Sequence, residues 1–183
     1  MNKLICFFNL IRTKNLLIIT LTQVLIKYFL INSYLSTSAL SNINFIIYLF
    51  ALLSIVAAGY IINDIYDIET DKINKPKTRI IAKEISKKTA LKIYYTLNLI
   101  GIVSGFYTAM QIQKISFGFI FVFFFLSLLQ YSRIYKKSFL IGNLQIALLI
   151  SLSIINIAIF DLVPIKISHQ NGSNIIFNII LFY

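Results

Sequence analysis

The sequence predicts an all-α membrane protein, and three observations lead there. Hydrophobic residues fill 58% of the 183 positions and charged residues 13%, whereas an ordinary soluble domain is about a quarter charged. The mean hydropathy is +0.84, and the apolar residues gather in runs of about 20, the length a helix needs to cross roughly 30 Å of hydrocarbon. Lys and Arg occupy the segments between these runs, alternately dense and sparse, as expected when cytoplasmic loops are enriched in them.

Taken in order, the N-terminal "MNKLICFFNLIRTKN" has a short apolar stretch that ends in charge and lacks a small-residue cleavage site, so the first span is expected to be retained. Five full spans are expected at 16–35, 43–63, 90–110, 115–132 and 139–160. A sixth begins in "NIIFNIILFY", Asn174 to Tyr183, which is about half the length of a crossing. Residues 1–183 are therefore expected to be the N-terminal part of one transmembrane domain. The connections are short and leave no room for a separate soluble domain. Cys6 is the single cysteine, which excludes an intrachain disulfide.

Orientation follows from the basic residues. Three precede span one, eight lie between Lys72 and Lys92, and three follow span four, so 14 of the 17 fall on one side. The N-terminus is placed in the cytoplasm. The net charge of +11 does not indicate nucleic acid, because these residues flank apolar spans instead of forming a stripe on a soluble fold.

Only six residues are acidic, and four of them, Asp64, Asp67, Glu69 and Asp71, fall within eight positions at the end of span two. With about 100° per residue, Asp67 lies near −60° and Asp71 near −20° from Asp64, while Glu69 lies near 140°. Three aspartates thus share a face at the membrane edge, with Asn63 beside them at about −100°. Like charges on one face repel each other where the dielectric falls, so cations must compensate them. Magnesium suits such a row, since it is commonly held by one or two carboxylates plus substrate phosphates. The basic run beginning at Lys72, with Lys75 and Arg79 nearest, can neutralise further phosphate charge. The plain structural reading is that the acids cap a helix end and pair with neighbouring lysines. Against it, acids are scarce elsewhere and these keep helical register. An EF-hand loop is excluded, because Lys72 stands where glycine is required and Thr78 where the closing glutamate should be.

"NDIYDIETD" (63–71) resembles the NDxxDxxxD motif of the UbiA superfamily of intramembrane prenyltransferases, and "INKPKTR" (73–79) resembles the NxPxR element that follows it. "RTKN" (12–15) is similar to the family's Arg-x-x-Asn, and "YSRIYKKSFLIGN" (131–143) to its Tyr-Ser…Lys…Gly-Asn block. The resemblance implies a UbiA-type transmembrane helical bundle with a cavity open to the lipid bilayer. It implies transfer of a polyprenyl chain from an allylic diphosphate, such as geranylgeranyl diphosphate, to a lipid-phosphate or aromatic acceptor with Mg2+. Asp64, Asp67 and Asp71 would then be the catalytic, metal-binding residues, with Asn63 beside them. Lys75, Arg79 and Lys136 would clamp the diphosphate, and Arg12, Asn15, Tyr131 and Asn143 would line the pocket. The "INKPKTR" form is more like the branch using glycerol-phosphate lipids or homogentisate-type acceptors than the 4-hydroxybenzoate branch. A bacterial or archaeal plasma membrane is the expected location. The family's second Asp-rich motif has no counterpart here: after Glu84 the single acid is Asp161, on the opposite side. The fragment is accordingly expected to be incomplete as a catalyst.

Other features carry less. Lys27 lies inside span one with no acid in matching register, leaving snorkelling or a cavity-facing position open. Gly101 and Gly105 form a GxxxG that suggests close helix packing. "FVFFF" (121–125) suits lipid contact, packing or an isoprenoid channel. His169 alone defines no metal site, and "NGS" at Asn171 matches the glycosylation pattern. Two rival classes remain: the DGxxAR pattern of CDP-alcohol phosphotransferases is absent, and a non-enzymatic transporter or cation-binding protein predicts polar residues at the midplane of several helices.

Overall fold

The computed structural model describes residues 3–34, 38–76 and 79–164. Lys77, Thr78, Lys166, His169, Asn171 and the expected sixth span, 174–183, lie outside the described residues. The elements are α1 (Lys3–Leu10), α2 (Thr13–Leu25), α3 (Asn32–Tyr34), α4 (Asn42–Tyr66), α5 (Ile68–Asn74), α6 (Lys87–Gln111), α7 (Gly118–Arg133) and α8 (Phe139–Leu162). A π-helical stretch, Ile26–Ile31, joins α2 to α3. No strand occurs among the described residues.

Local sequence sets the helix starts. Ser41 and Ser86 are the N-caps of α4 and α6, and their hydroxyls accept hydrogen bonds from the amides of Asn44 (3.3 Å) and Thr89 (3.1 Å). Four helical stretches are long and apolar enough to cross a membrane: Thr13–Ile31, Asn42–Tyr66, Ile115–Arg133 and Leu140–Leu162. These cover four of the five expected spans. The remaining expected span, 90–110, is present within the 25-residue α6, but Tyr94, Asn98 and Thr108 dilute its apolar character.

α4 is the central helix, packed most extensively against α6 and next against α7. Gly101 explains how close α6 comes: a Cβ there would lie 2.6 Å from Ile55 Cγ1 and 3.0 Å from the Ala51 carbonyl oxygen on α4. One apolar cluster surrounds Tyr48, Phe121 and Phe160, whose rings meet at 5.2–5.9 Å. A second, built on Leu10, Ile61, Ala90 and Tyr94, closes the end of the bundle that carries the acidic cluster.

At the other end, the π-helical stretch turns Lys27 inward. Its ammonium pairs with Asp161 of α8 and donates to the Ser38 hydroxyl and the Leu40 carbonyl oxygen (2.9 Å). Asp161 also accepts from Ser38 Oγ (2.7 Å) and the Leu40 amide (3.0 Å). Lys27 and Asp161 are 1% and 0% exposed, so Lys27 neither snorkels nor faces a cavity. The π-bulge, a feature that often marks a special side-chain position, ties span one to span five.

Candidate functional site

The acidic face forms where α4 passes into α5. Asp67 sits at the junction with φ −89° and ψ 1°, yet the backbone ladder runs across it: the Asp67 amide donates to Asn63 O at 3.0 Å and the Asp71 amide to Asp67 O at 2.7 Å. Helical register therefore persists, and Asp64, Asp67 and Asp71 are each 20% exposed. Glu69, pointing away, is 81% exposed and pairs with Lys72 at 2.6 Å.

Each aspartate meets a different cation. Asp64 accepts from Arg12 Nη2 at 2.9 Å, Asp67 pairs with Lys136 from the α7–α8 connection, and Asp71 lies 3.6 Å from Lys75. Among the described residues no three carboxylate, imidazole or thiol groups come together as a ready ion cage. Asp64 and Asp71 border one pocket, while Asp67 turns to Lys136 and accepts at 3.4 Å from Asn63 Nδ2. The donor set still fits magnesium, because that ion takes one or two carboxylates and completes its shell from water and phosphate oxygens.

Two cavities meet at Arg12. The smaller, about 90 Å³, is polar and brings together Arg12, Asp64, Asp71, Lys75 and Arg79. Nε and Nη1 of Arg79 are buried there without a hydrogen-bond partner among the described residues. Buried guanidinium donors left unpaired are costly, and an anion would satisfy them. The larger, about 270 Å³, is mainly apolar and runs between α2, α4, α7 and α8, past Tyr60, Val56 and Leu52 on one wall and Tyr131, Leu128 and Phe124 on another. Asn63 borders it too, and its buried Oδ1 has no partner among the described residues. A charged mouth opening into an apolar tunnel accepts a molecule with an anionic head and a hydrocarbon tail.

Arg12 is held with care at this junction. Its backbone is left-handed, φ 53° and ψ 56°, a conformation uncommon outside glycine and concentrated at functional positions. Its guanidinium lies 4.9 Å from the centre of the Tyr60 ring, a cation–π distance. Asn15 Nδ2 donates to the Tyr60 hydroxyl at 3.3 Å. Asn143 is exposed and lines neither cavity. Its neighbour Gly142 has a clear role: a Cβ there would sit 2.5 Å from the Tyr135 carbonyl oxygen, so its absence lets α8 press on the loop carrying Lys136. Of the "FVFFF" run, Phe124 lines the apolar cavity, Phe121 is in the core and Phe123 faces outward. Tyr60 belongs to no motif in the sequence, although it lies four residues before Asp64, on the same helical face.

Comparison with known proteins decides the family. The family model described as UbiA prenyltransferase family matches residues 24–163. The chain belongs to the UbiA prenyltransferase family. It is 34% identical over 143 residues to a digeranylgeranylglyceryl phosphate synthase of Methanococcus maripaludis, covering 78% of this chain and 48% of the relative. To the synthase of the same name from Hyperthermus butylicus it is 37% identical over 142 residues, covering 76% and 44%. To that of Sulfolobus acidocaldarius it is 38% identical over 99 residues, covering 54% and 34%. A solved structure concerned with digeranylgeranylglyceryl phosphate synthase in membranes superposes with a TM-score of 0.73 at 28% identity, covering 87% of this chain and 54% of its own. This UbiA chain thus spans about half the length, or less, of the relatives it matches, and the all-helical membrane architecture is common to both.

Proposed function

We propose that this UbiA chain carries the diphosphate-binding site of a polyprenyltransferase, one that moves a geranylgeranyl chain from its diphosphate to a glycerol-phosphate lipid. The observation that carries the reading is the junction at Arg12 of a polar pocket bordered by Asp64, Asp71, Lys75 and Arg79 with an apolar cavity entering the bundle. The names of the relatives support the acceptor class over an aromatic one.

In this reading the isoprenoid tail lies along Tyr60, Val56 and Leu52, and the diphosphate sits in the polar pocket. The free donors of Arg79 and the ammonium of Lys75 bind its oxygens, and Arg12 orients it from the boundary between the two cavities. Bound magnesium, held by carboxylates of the Asp64, Asp67 and Asp71 row, would supply positive charge against the departing diphosphate. The allylic C1–O bond breaks with its electron pair going to the diphosphate, the acceptor hydroxyl oxygen bonds to C1, and the hydroxyl proton is released. Cationic side chains lower the barrier because they face charge that grows as the bond breaks. Apolar walls keep water from the carbocation-like carbon.

Binding of geranylgeranyl diphosphate to the chain in lipid nanodiscs tests this. Saturable binding that needs magnesium, is reversed by a chelator and is lost in Asp67→Ala is the expected result. Undiminished binding in that variant rejects the assigned site.

A further inference from the structure

On the other side of α4 and α7 lies a further cavity, about 380 Å³, at the same end of the bundle as the aspartates. Among the described residues it shares no lining residue with the two cavities above. The helices explain the separation: α7 turns Phe124, Leu128 and Tyr131 toward the apolar tunnel and Phe125, Leu129 and Arg133 toward this cleft. α4 likewise sends Tyr60 and Asn63 one way, and Ile62, Ile65 and Tyr66 the other.

The cleft has a cationic rim and an apolar floor. Lys87 and Arg133, both exposed, stand at its mouth, and neither has a carboxylate within ion-pair distance among the described residues. Lys87 is the first residue of α6, where the positive end of the helix dipole further favours an anion. Leu91, Phe125 and Leu129 line the inside. Tyr94 is 3% exposed and its buried hydroxyl has no hydrogen-bond partner among the described residues. A buried donor without a partner is normally satisfied by a ligand or an ordered water. The volume falls in the small-molecule range of roughly 300–1,000 Å³.

We propose that this cleft between α4, α6 and α7 is a binding site for an anionic membrane phospholipid, its phosphate held by Lys87, Arg133 and the Tyr94 hydroxyl and one acyl chain laid over Leu91, Phe125 and Leu129. Basic pockets between transmembrane helices at a membrane surface bind acidic lipid head groups by this combination of charge and hydrocarbon contact. The wall of α4 and α7 makes it a site apart from the prenyl diphosphate pocket, so occupancy stabilises the packing of α6 without competing with substrate.

The chain contains no tryptophan, so a single Leu91→Trp substitution places one reporter inside the cleft. In phosphatidylcholine vesicles, brominated phosphatidylglycerol should quench it at far lower mole fraction than brominated phosphatidylcholine. The preference should fall about fivefold for each of Lys87→Gln and Arg133→Gln, and by a smaller factor in Tyr94→Phe. A Phe50→Trp reporter, 54% exposed on α4 away from the cleft, should show no preference. Should Leu91→Trp fail to fold, Tyr95→Trp at the rim, 63% exposed, reports the same occupancy. Equal quenching by the two brominated lipids overturns the proposal, as does a preference unchanged in the glutamine variants. Relief of quenching by inorganic phosphate would assign the cleft to a soluble phosphate compound and overturn it as well.

Discussion

Arg12 Nη2 and Asp64 Oδ1 lie 2.9 Å apart although 52 residues separate them in the chain, and the same guanidinium covers the Tyr60 ring. One side chain thereby joins the N-terminal connection to the acidic end of α4 and borders both cavities of the proposed substrate site. Arg12 is 40% exposed, so the ion pair itself contributes little to stability. Arg12→Ala should leave the melting temperature nearly unchanged and weaken geranylgeranyl diphosphate binding by about 10- to 100-fold, the range for loss of a charged hydrogen bond. Titration calorimetry checks it, and unaltered affinity would remove Arg12 from the site.

Lys27 and Asp161 behave differently because both are buried. Removing one partner leaves an uncompensated charge in low dielectric, so Lys27→Met should destabilise the chain by about 3–5 kcal/mol. Lys27→Met combined with Asp161→Leu should recover much of that loss, since replacing both charges with apolar groups is often close to neutral. Denaturant unfolding in detergent micelles distinguishes this from two independent, additive losses.

Gly142 links packing to charge. In Gly142→Ala the new methyl meets the Tyr135 carbonyl oxygen at 2.5 Å, and backbone cannot yield as a side chain can. Overpacking of this kind costs about 1–3 kcal/mol. The displaced segment carries Lys136, the partner of Asp67, so substrate affinity should fall together with stability. Ser138→Ala, nearby but without such a clash, is the control.

Val56 lines the apolar cavity two turns from Asp64, about 12 Å along the helix axis. Val56→Trp should block the tunnel for a long isoprenoid and spare a short one. Binding of geranylgeranyl diphosphate should fall about tenfold or more, a loss of about 1.4 kcal/mol, while dimethylallyl diphosphate binds as before. Equal losses for both ligands would show that the tail lies elsewhere.

Much of the candidate site is legible in the sequence. The period of 3.6 residues puts Asp64, Asp67 and Asp71 on one face and Glu69 outward; helical register persists through the break at Asp67 and Glu69 is exposed, but Asp67 turns to Lys136 while Asp64 and Asp71 border the polar pocket. The spacing of Gly101 and Gly105 likewise announced a close helix contact. Less legible were the partners. Lys75 could be matched to Asp71 because it is one turn away, but Lys136 reaches Asp67 across 69 residues. Asn143 carried the same motif-level expectation and ends on an exposed surface, since a motif specifies residue types and not the direction in which a helix turns them.

Hydropathy and helical period are properties of neighbours along the chain, and they suffice to make this a helical membrane protein with a carboxylate face at the end of its second span. Packing between helices settles which cation meets which aspartate, that Lys27 finds Asp161 across 134 residues, and that α4 and α7 divide a polar-mouthed tunnel from a separate basic cleft. Those outcomes depend on how close two helices approach and on their rotation about their axes. Side-chain volumes such as the missing Cβ atoms of Gly101 and Gly142 set that closeness, and no local period encodes it.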